Sequence, residues 1–402
     1  MDKLANKDAS TFNMAVWVKE SDSLNVHELN RGILPYINPF VSMLNNRLAL
    51  EGLLGLGSFV LPYKPFFKKA DIVHLQLINT NHFFSILALP KLNRCKPLVW
   101  TIHDCWPTTG MCIYSFECQK WLSGCSGMCP YPRGKSILRH FTPAFHWMIK
   151  KKVYKSLDIE LIAASKWIQD RVQKSPLLKH LPCHLIPFGI DLNTFYPKDK
   201  KLSRSKLGID HEGKIIAFRG TRLKNGQFKG TKWLLEALQK YTPNEPTSLV
   251  ILEDGRDFES LSSKYNIINL GWIDNDKKIS DILSAADIFL MPSIQEAFGL
   301  MAIEALACGT PVVVFKGTAL PDVIKAPYGG IAVPSKNSTA LAKAIKTLLD
   351  DDDLRKNIGK NGRKIAVEEY SLKLYMERHM RLYTSILSKR SELKSSTITI
   401  RE

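Results

Sequence analysis

Two glutamates separated by seven residues, Glu296 and Glu304, form an acidic pair whose spacing could serve one ligand. They lie in residues 287–315, where a buried-strand pattern is followed by a Pro-Ser turn, a helical pattern and the stop signal Gly309. On one helix they would be about 12 Å apart along the axis and about 80° apart around it. Both carboxylates could then face one cleft and bind the two ends of a sugar nucleotide, with the N–H groups of residues 298–301 aimed at its diphosphate.

The same residues allow an explanation without a ligand. Ser293-Ile-Gln-Glu296 matches a capping box, in which the glutamate only returns a hydrogen bond to the start of a helix. Glu304 could be a solvated helix residue, although its neighbours in residues 301–309 are otherwise apolar, where an unpaired carboxylate is costly. From the residues alone, capping and ligand binding both remain open for Glu296.

Short apolar runs that alternate with amphipathic helical patterns surround these residues, and this alternation predicts parallel sheets covered by helices. The predicted strands cover 12–18, 72–77, 98–102, 160–164 and 184–187 in the first half, and 214–219, 247–252, 266–270, 288–291, 311–315 and 330–333 in the second. The clearest predicted helices cover 231–241, 278–285, 298–307, 338–350, 354–369 and 372–388. Two such sheets facing each other would bring the carboxyl ends of their strands to a shared ligand cleft.

The segment around the two glutamates resembles the E-x7-E signature of retaining family 4 (group 1) glycosyltransferases, including the Gly-Thr-Pro-Val that follows it. The resemblance covers nearly the whole chain, and residues 103–110 (HDCWPTTG) are similar to those of colanic-acid and capsular polysaccharide enzymes. It implies an α/β protein of the GT-B fold, in which two doubly wound Rossmann-like domains face each other across a cleft. It implies that Glu296 contacts hydroxyls of the donor sugar and that Glu304 contacts the ribose. The donor-binding residues implied in this segment are Phe298, Gly299, Leu300 and Glu304.

A diphosphate leaving group needs positive charge, and the resemblance implies where that charge lies. In the family, an Arg after a strand and a Lys in a Lys-Gly pair clamp the diphosphate, which here implies Arg219 and Lys229, with Arg222 as the alternative to Arg219. Stabilising the departing diphosphate would be the main catalytic contribution, and no metal cofactor would be required. The Asp-x-Asp of residues 274–276, a metal motif in other transferases, is explained more simply as a turn with an Asp at a helix N-cap.

His103 follows the predicted strand 98–102, so its ring should emerge at the edge of the cleft. A lone histidine is more often a structural residue, but the family has a histidine at this strand end, near the transferred sugar. The resemblance therefore implies that His103 and Glu296 are catalytic and position the sugar. Retaining enzymes of this fold show no agreed protein nucleophile, so we expect front-face attack by the acceptor hydroxyl, which the leaving phosphate deprotonates.

The length of 402 residues predicts two domains, because one hydrophobic core seldom serves so long a chain. We expect an N-terminal acceptor-side domain over residues 1–195, a C-terminal nucleotide-sugar domain over 196–370, and over 371–402 a helix that crosses back and a frayed tail. Family members open with a strand and a Gly-rich loop, whereas this chain starts almost directly with the strand pattern at 12–18 and has its first glycine at Gly32. The N-terminal domain is therefore predicted to lack that first strand and loop, which would leave the protein weakly active or inactive.

Four cysteines, Cys112, Cys118, Cys125 and Cys129, lie in a loop of residues 105–130 and are separated by five, six and three residues. Their thiolates could hold a structural zinc ion and so stabilise a loop that has little else to bury. The spacing is not the paired C-x2-C of strong zinc signatures, and the alternative is four packed thiols.

The chain carries 56 Lys and Arg residues against 38 Asp and Glu residues, a formal charge of +18 that attracts phosphorylated ligands, anionic lipid or nucleic acid. Residues 133–155 combine cations with aromatic side chains, which predicts peripheral contact with an anionic membrane; an ordinary solvated helix face is the alternative. These residues are Arg133, Lys135, Arg139, Lys150, Lys151, Lys152 and Lys155 with Phe141, Phe145, Trp147 and Tyr154. No helix-turn-helix, RNP or zinc-finger pattern is present, so nucleic acid is not expected as a partner.

No apolar run approaches the roughly 20 residues of a membrane helix, and residues 1–10 are too polar for a signal peptide. We therefore expect a cytoplasmic protein that is peripheral at the inner face of the plasma membrane. Its expected function is retaining transfer of a hexose from a UDP- or GDP-sugar to a polysaccharide or a lipid-linked oligosaccharide. The alternatives are a GT-B protein that binds nucleotide sugars without transferring them, a GT-B epimerase, and a basic nucleic-acid-binding protein.

Overall fold

The computed structural model describes residues 14–16, 26–28, 34–79, 84–131, 137–209, 212–223 and 227–399, and only the backbone of 14–16, 227 and 393–399. Contacts divide the chain into two units. The first unit comprises Met1–Ala164, Ile168–Ile186 and Arg378–Glu402, and the second comprises Ser165–Trp167 and Pro187–Glu377.

The described strands of the first unit are β1 (Met14–Val16), β2 (Val26–Glu28), β3 (Val73–Leu75), β4 (Leu98–Ile102), β5 (Ile159–Ala163) and β6 (Cys183–Leu185). Strands β3 to β6 form a parallel sheet in that order, and β1 pairs with β2 in parallel. The helices of this part of the chain are α1 (Leu34–Leu48), α2 (Gly57–Val60), α3 (Pro65–Lys69), α4 (Leu89–Cys95), α5 (Leu138–Tyr154) and α6 (Lys166–Lys174).

Each strand predicted in the first half overlaps one of these observed strands, whereas β2 was not predicted. The predicted lack of an opening strand and Gly-rich loop concerns residues before Met14. Those residues lie outside the described part of the chain, so this expectation stays a prediction.

The strands of the second unit are β7 (Lys214–Gly220), β8 (Thr247–Glu253), β9 (Asn266–Gly271), β10 (Ile288–Met291), β11 (Val312–Phe315) and β12 (Gly330–Val333). They form one parallel sheet in the order β9-β8-β7-β10-β11-β12. The helices that follow β6 are α7 (Lys200–Lys206), α8 (Thr231–Lys240), α9 (Asp276–Ala285), α10 (Leu300–Ala307), α11 (Leu320–Val323), α12 (Ser338–Asp350), α13 (Asp352–Glu369) and α14 (Leu372–Thr399). The chain reverses its direction across the sheet between β7 and β10, and sheets of this order bind ligands at that switch point.

The predicted α/β architecture is confirmed, because all six strands predicted in the second half are present within two residues of their predicted ends. Strand β11 is buried at all four positions, as expected of a parallel strand with helices on both faces. One core joins alternate strand residues to α8 and α12, and within it Phe218 packs on Phe258 at 4.7 Å between ring centroids. This rigid sheet fixes where the loops after β7 and β10 begin.

Candidate functional site

Glu296 lies in the loop between β10 and α10, four residues before the helix begins at Leu300. The prediction that Glu296 and Glu304 share one helix is therefore wrong, and the axial distance derived from it does not apply. The reason is Gly299, which occupies the N-cap in a left-handed conformation with φ +95°. No side chain caps α10, so the capping-box interpretation of Glu296 is wrong as well.

Glu296 is held by Lys229, whose Nζ lies 3.2 Å from its Oε2. Lys229 ends the short 3-10 turn that leads into α8, and the turn is fixed against the loop after β10, since the N–H of Ile294 donates to the carbonyl of Phe228 at 2.8 Å. Gly230 sits so close that a Cβ there would approach the carbonyl oxygen of Pro292 to 2.0 Å. Two loops from different strands thus bring one predicted carboxylate and one predicted cation together.

Arg219 lies near the carboxyl end of β7 and is held by two neighbours. Its Nε donates to the Glu253 carboxylate at the end of β8, and its guanidinium stacks over the ring of Trp272 at 4.9 Å. Arg222, the alternative cation, instead pairs with Asp254 at 3.4 Å. The sequence did not single out Glu253, and its position at a strand end is the signal that could have found it.

Glu304 projects from α10 and is largely buried. The pKa of its carboxyl is raised to about 7, first by burial and then by the nearby Asp276 carboxylate, against the opposing charge of Arg219. Glu304 forms no ion pair in the described part of the chain, and its raised pKa lets the carboxyl carry a proton near neutral pH. The Asp-x-Asp turn does precede a helix, but Asn275, not an Asp, caps α9 by accepting from the N–H of Lys278.

The three residues predicted between the glutamates have different environments. The ring of Phe298 is buried against Phe188 and Tyr370, at 5.1 and 5.8 Å between centroids, so only its backbone can face a ligand. A Cβ on Gly299 would lie 2.4 Å from Leu320. Leu300 is 47% exposed in the first turn of α10, where N–H groups have no acceptor within the helix.

His103 directly follows β4, and its Nε2 lies 2.7 Å from Oε1 of Gln76, which follows β3. Burial lowers the pKa of His103 to about 4, so the imidazole is neutral at pH 7 and can hydrogen-bond a hydroxyl without carrying charge. His103 lines a small, open pocket together with Gln76, Asn79 and Asp104. Asp104 accepts from the side chain of Asn79 at 2.7 Å.

The four clustered cysteines are free thiols. Cys112 donates a hydrogen bond to Cys129, which lowers the pKa of Cys129 to about 6 with help from His140 and Lys120. The hydrogen bond to Cys129, followed by burial and the neighbouring thiols of Cys125 and Cys118, raises the pKa of Cys112. The four sulfurs influence one another, yet within the described ranges no three His, Cys, Asp or Glu side chains are arranged to hold a metal ion. Zinc binding stays a prediction.

Comparisons with known proteins agree with this architecture. The model of Glycosyltransferase Family 4 matches residues 16–194, and the model of glycosyl transferases group 1 matches residues 199–365. The chain is 29% identical over 240 residues to an uncharacterized glycosyltransferase of Methanocaldococcus jannaschii, covering 57% of this chain and 60% of that protein. It is 28% identical over 213 residues to the N,N'-diacetylbacillosaminyl-diphospho-undecaprenol alpha-1,3-N-acetylgalactosaminyltransferase of Campylobacter jejuni, covering 51% of this chain and 54% of that one. The chain thus spans little more than half the length of these curated relatives.

Solved structures show the same fold. Sucrose-phosphate synthase from Thermosynechococcus elongatus superposes with a TM-score of 0.66 at 20% identity, covering 94% of this chain and 88% of that one. Anabaena HepE in complex with UDP and glucose gives a TM-score of 0.60 at 17% identity, covering 90% and 86%. At these identities the likeness concerns the fold alone.

Two parallel α/β sheets, with predicted carboxylates and cations gathered at the β7–β10 switch point of one of them, define a protein of the GT-B class. The chain belongs to the group 1, or family 4, glycosyltransferases, as the resemblance of its E-x7-E segment predicted. The narrower resemblance of residues 103–110 to colanic-acid enzymes stays a prediction.

Proposed function

We propose that this chain is a retaining glycosyltransferase that moves a hexose from a UDP- or GDP-sugar to a polysaccharide or a lipid-linked oligosaccharide. The observation that carries the proposal is that two carboxylates and two cations lie near the carboxyl ends of β7 and β10. Lys229 forms an ion pair with Glu296, and the charge of Arg219 lowers the pKa of Glu304. A nucleoside-diphosphate sugar presents the complementary groups, because its hydroxyls donate to carboxylates and its diphosphate accepts from cations.

In the proposed reaction, the hydroxyls of the donor sugar hydrogen-bond to Glu296, and Lys229 turns toward the diphosphate. Glu304 binds the ribose, and Arg219 shares the diphosphate charge with Lys229. The bond from the sugar C1 to the phosphate oxygen breaks, and the acceptor oxygen bonds to C1 on the same face. The proton of the acceptor passes to the departing phosphate. Because these two cations already supply positive charge, we propose that the transfer needs no metal.

His103 has a positioning part in this proposal. A neutral imidazole suits a hydrogen bond to a sugar hydroxyl, and its lowered pKa keeps it neutral throughout the physiological range. The expected consequence is a His103→Ala protein with reduced turnover, and unchanged turnover would remove His103 from the site.

The names of related proteins support the donor and acceptor classes. Anabaena HepE was solved with UDP and glucose, and the Campylobacter jejuni relative is named for transfer to a sugar on diphospho-undecaprenol. With an acceptor of that kind, the enzyme would work peripherally at the inner face of the plasma membrane.

A mass-spectrometric screen of UDP- and GDP-sugars tests the proposal. We expect the wild-type protein to consume one donor by slow hydrolysis or transfer, and Glu296→Gln to lower the rate by roughly 100- to 1000-fold. Glu212→Gln, at an exposed glutamate weakly paired with Lys201, is the matched control and should keep the wild-type rate. Equal rates in the two variants would overturn the role of Glu296.

The main alternative is a protein that binds nucleotide sugars without transferring them. The same screen separates the two, because such a protein would raise its melting temperature with UDP or GDP and yet consume no donor in the presence of any acceptor.

We also propose a structural zinc ion at Cys112, Cys118, Cys125 and Cys129, on the ground that four thiols lie within 18 residues of sequence. Elemental analysis of protein purified without chelator should give about one zinc per chain. Protein that stays free of zinc after incubation with the metal would show four packed thiols instead.

A further inference from the structure

Helix α5 buries polar residues among the apolar ones of its inner side and exposes large apolar residues on its outer side. Its inner side buries His146 and Lys150 completely, whereas its outer side presents Phe141, Phe145 and Met148, which are 58%, 46% and 60% exposed. Surface helices normally place apolar residues toward the core and charged residues toward water. The exposed apolar stripe of α5 therefore needs an explanation other than packing within the chain.

The buried polar residues hold α5 in this orientation. The Nζ of Lys150 donates to the carbonyls of Trp106, Thr109 and Gly110 at 2.6, 3.0 and 2.9 Å and lies over the Trp106 ring. The ring of His146 bonds the carbonyl of Ala49 at 2.7 Å. Rolling the helix to bury its phenylalanines would break all of these bonds, so the outward stripe is a fixed feature.

These contacts correct part of the sequence prediction for residues 133–155. Lys150 is not an exposed cation, Arg139 pairs with Glu51, and Trp147 and Tyr154 are buried. Arg133 and Lys135 lie outside the described residues. The exposed cations of the segment within the described part are Lys151, Lys152 and Lys155.

Helix α1 repeats the same arrangement. Tyr36, Phe40 and Met43 are 83%, 61% and 51% exposed, while Asn38 and Asn45 are buried. In both helices the outer stripe reads aromatic, aromatic, methionine and cation at positions i, i+4, i+7 and i+11, with Arg47 completing α1 and Lys152 completing α5.

The two helices are tied together at the end of α1. Arg139 of α5 donates to the carbonyl of Asn46 at 2.9 Å and pairs with Glu51, and His146 reaches Ala49 in the same connection. Two exposed stripes of one composition thus belong to one packed region of the first unit.

Charge decides between the occupants of this surface. Neither α1 nor α5 contains an acidic residue. In a symmetric contact with a second copy, the same patch faces itself, so Arg47 and Lys152 would meet cations with no carboxylate from either helix to offset them. An anionic lipid surface accepts both features, because aromatic and methionine side chains enter the headgroup region while lysines and arginines meet its phosphates.

We propose that the outer stripes of α1 and α5 are a docking surface for an anionic bilayer. In the described part of the chain no helix is long and apolar enough to cross a membrane, so this contact would be peripheral. The inference is independent of the donor chemistry, and its failure would leave the proposed transfer reaction untouched.

Co-sedimentation of the full chain with vesicles tests the surface. We expect binding to vesicles of phosphatidylglycerol and phosphatidylcholine, little binding to phosphatidylcholine alone, and weakening by salt. Replacing Phe141 and Phe145 together by Ser, or Tyr36 and Phe40 together by Ser, should each weaken partitioning by roughly ten-fold or more. The control is Tyr328→Ser, an exposed tyrosine of the second unit, which should bind like wild type.

A charge pair completes the design. The double variant Lys151→Glu, Lys152→Glu should weaken binding to the anionic vesicles by roughly ten-fold or more. The control is the double variant Lys356→Glu, Lys360→Glu, at exposed positions of α13. It changes the net charge by the same amount and should have little effect. Unchanged melting temperatures would show that the variants fold. The proposal is overturned if wild type ignores anionic vesicles, if both pairs behave alike, or if ultracentrifugation shows a dimer that the Phe141 and Phe145 changes dissociate.

Discussion

Two carboxylates near strand β10, Asp287 and Glu304, have opposite environments. Asp287, immediately before the strand, is 3% exposed and contacts Lys200 at 2.5 Å, Arg204 at 3.0 Å and Arg355 at 3.4 Å. Glu304, in the helix after the strand, has no ion pair in the described residues, and its pKa is raised to about 7.

The difference indicates that Asp287 stabilises the fold, whereas Glu304 is available to a ligand. Asp287 joins α7 and α13 to the amino end of the sheet and also accepts from the backbone N–H of Ile215, so its charge is fully used within the fold. At the carboxyl end, Glu304 forms no ion pair in the described residues, and burial raises its pKa. Residues with strongly perturbed pKa values are common at ligand-binding and catalytic sites.

Removing the paired carboxylate should have the largest effect on stability. Asp287→Ala leaves three cations without their shared partner and should lower the free energy of unfolding by about 3–5 kcal/mol. Chemical denaturation measures this. The control is Glu368→Ala, whose exposed pair with Lys364 should contribute about 1 kcal/mol or less. Equal losses in the two variants would contradict the assignment of Asp287 as the structural carboxylate.

A smaller effect is expected from Gly299→Ala at the start of α10. Its φ of +95° disfavours any side chain, and the added Cβ would clash with Leu320, so we expect a loss of about 1–3 kcal/mol together with weaker UDP or GDP binding. Gly317→Ala is the control, since Gly317 has φ +87° but nothing within 4 Å of a Cβ. The Gly317→Ala protein should lose stability only through backbone strain, and should bind UDP or GDP like wild type. If it loses as much stability and binding as Gly299→Ala, the clash with Leu320 does not explain the effect.

The smallest expected effect is a pH dependence from Glu304. Its folded pKa of about 7 lies above the ordinary 4.5, so the folded state binds the proton more tightly, and this contribution to stability is lost as pH rises from 4.5 to 7. Glu304→Gln has no such titration. The melting temperature of the variant minus that of wild type should therefore increase by roughly 2–4 °C from pH 5 to pH 8.

A difference in melting temperature that stays constant over this range would show that Glu304 titrates normally.

Sequence patterns predicted the second unit better than the first, for a physical reason. Strands such as Val312–Phe315 are buried on both faces, so their sequences are unbroken apolar runs, a pattern that differs from that of a surface helix. Helices α1 and α5 mix polar and apolar residues on their buried sides and present aromatic residues to solvent, so their periodicity does not indicate which side is buried. Their contacts with loops far along the chain, such as Lys150 with Trp106, could not be read from spacing.

In the predicted site as well, spacing along the sequence predicted which residues matter but not their tertiary contacts. The E-x7-E spacing indicated the two glutamates, but not that Gly299 would delay the helix until Leu300 and leave Glu296 in a loop. The ion pair between Lys229 and Glu296 depends on the close approach of two loops at Gly230 and Pro292, a tertiary contact without a local signature.

Calorimetric titration with UDP and GDP tests the central claim, that a nucleoside diphosphate binds at the β7–β10 switch point. We expect one of the two nucleotides to bind the wild-type chain, Arg219→Ala and Lys229→Ala each to weaken binding roughly ten-fold or more, and Arg222→Ala to bind like wild type. No binding of either nucleotide, or wild-type affinity in both the Arg219→Ala and the Lys229→Ala variants, would contradict the account.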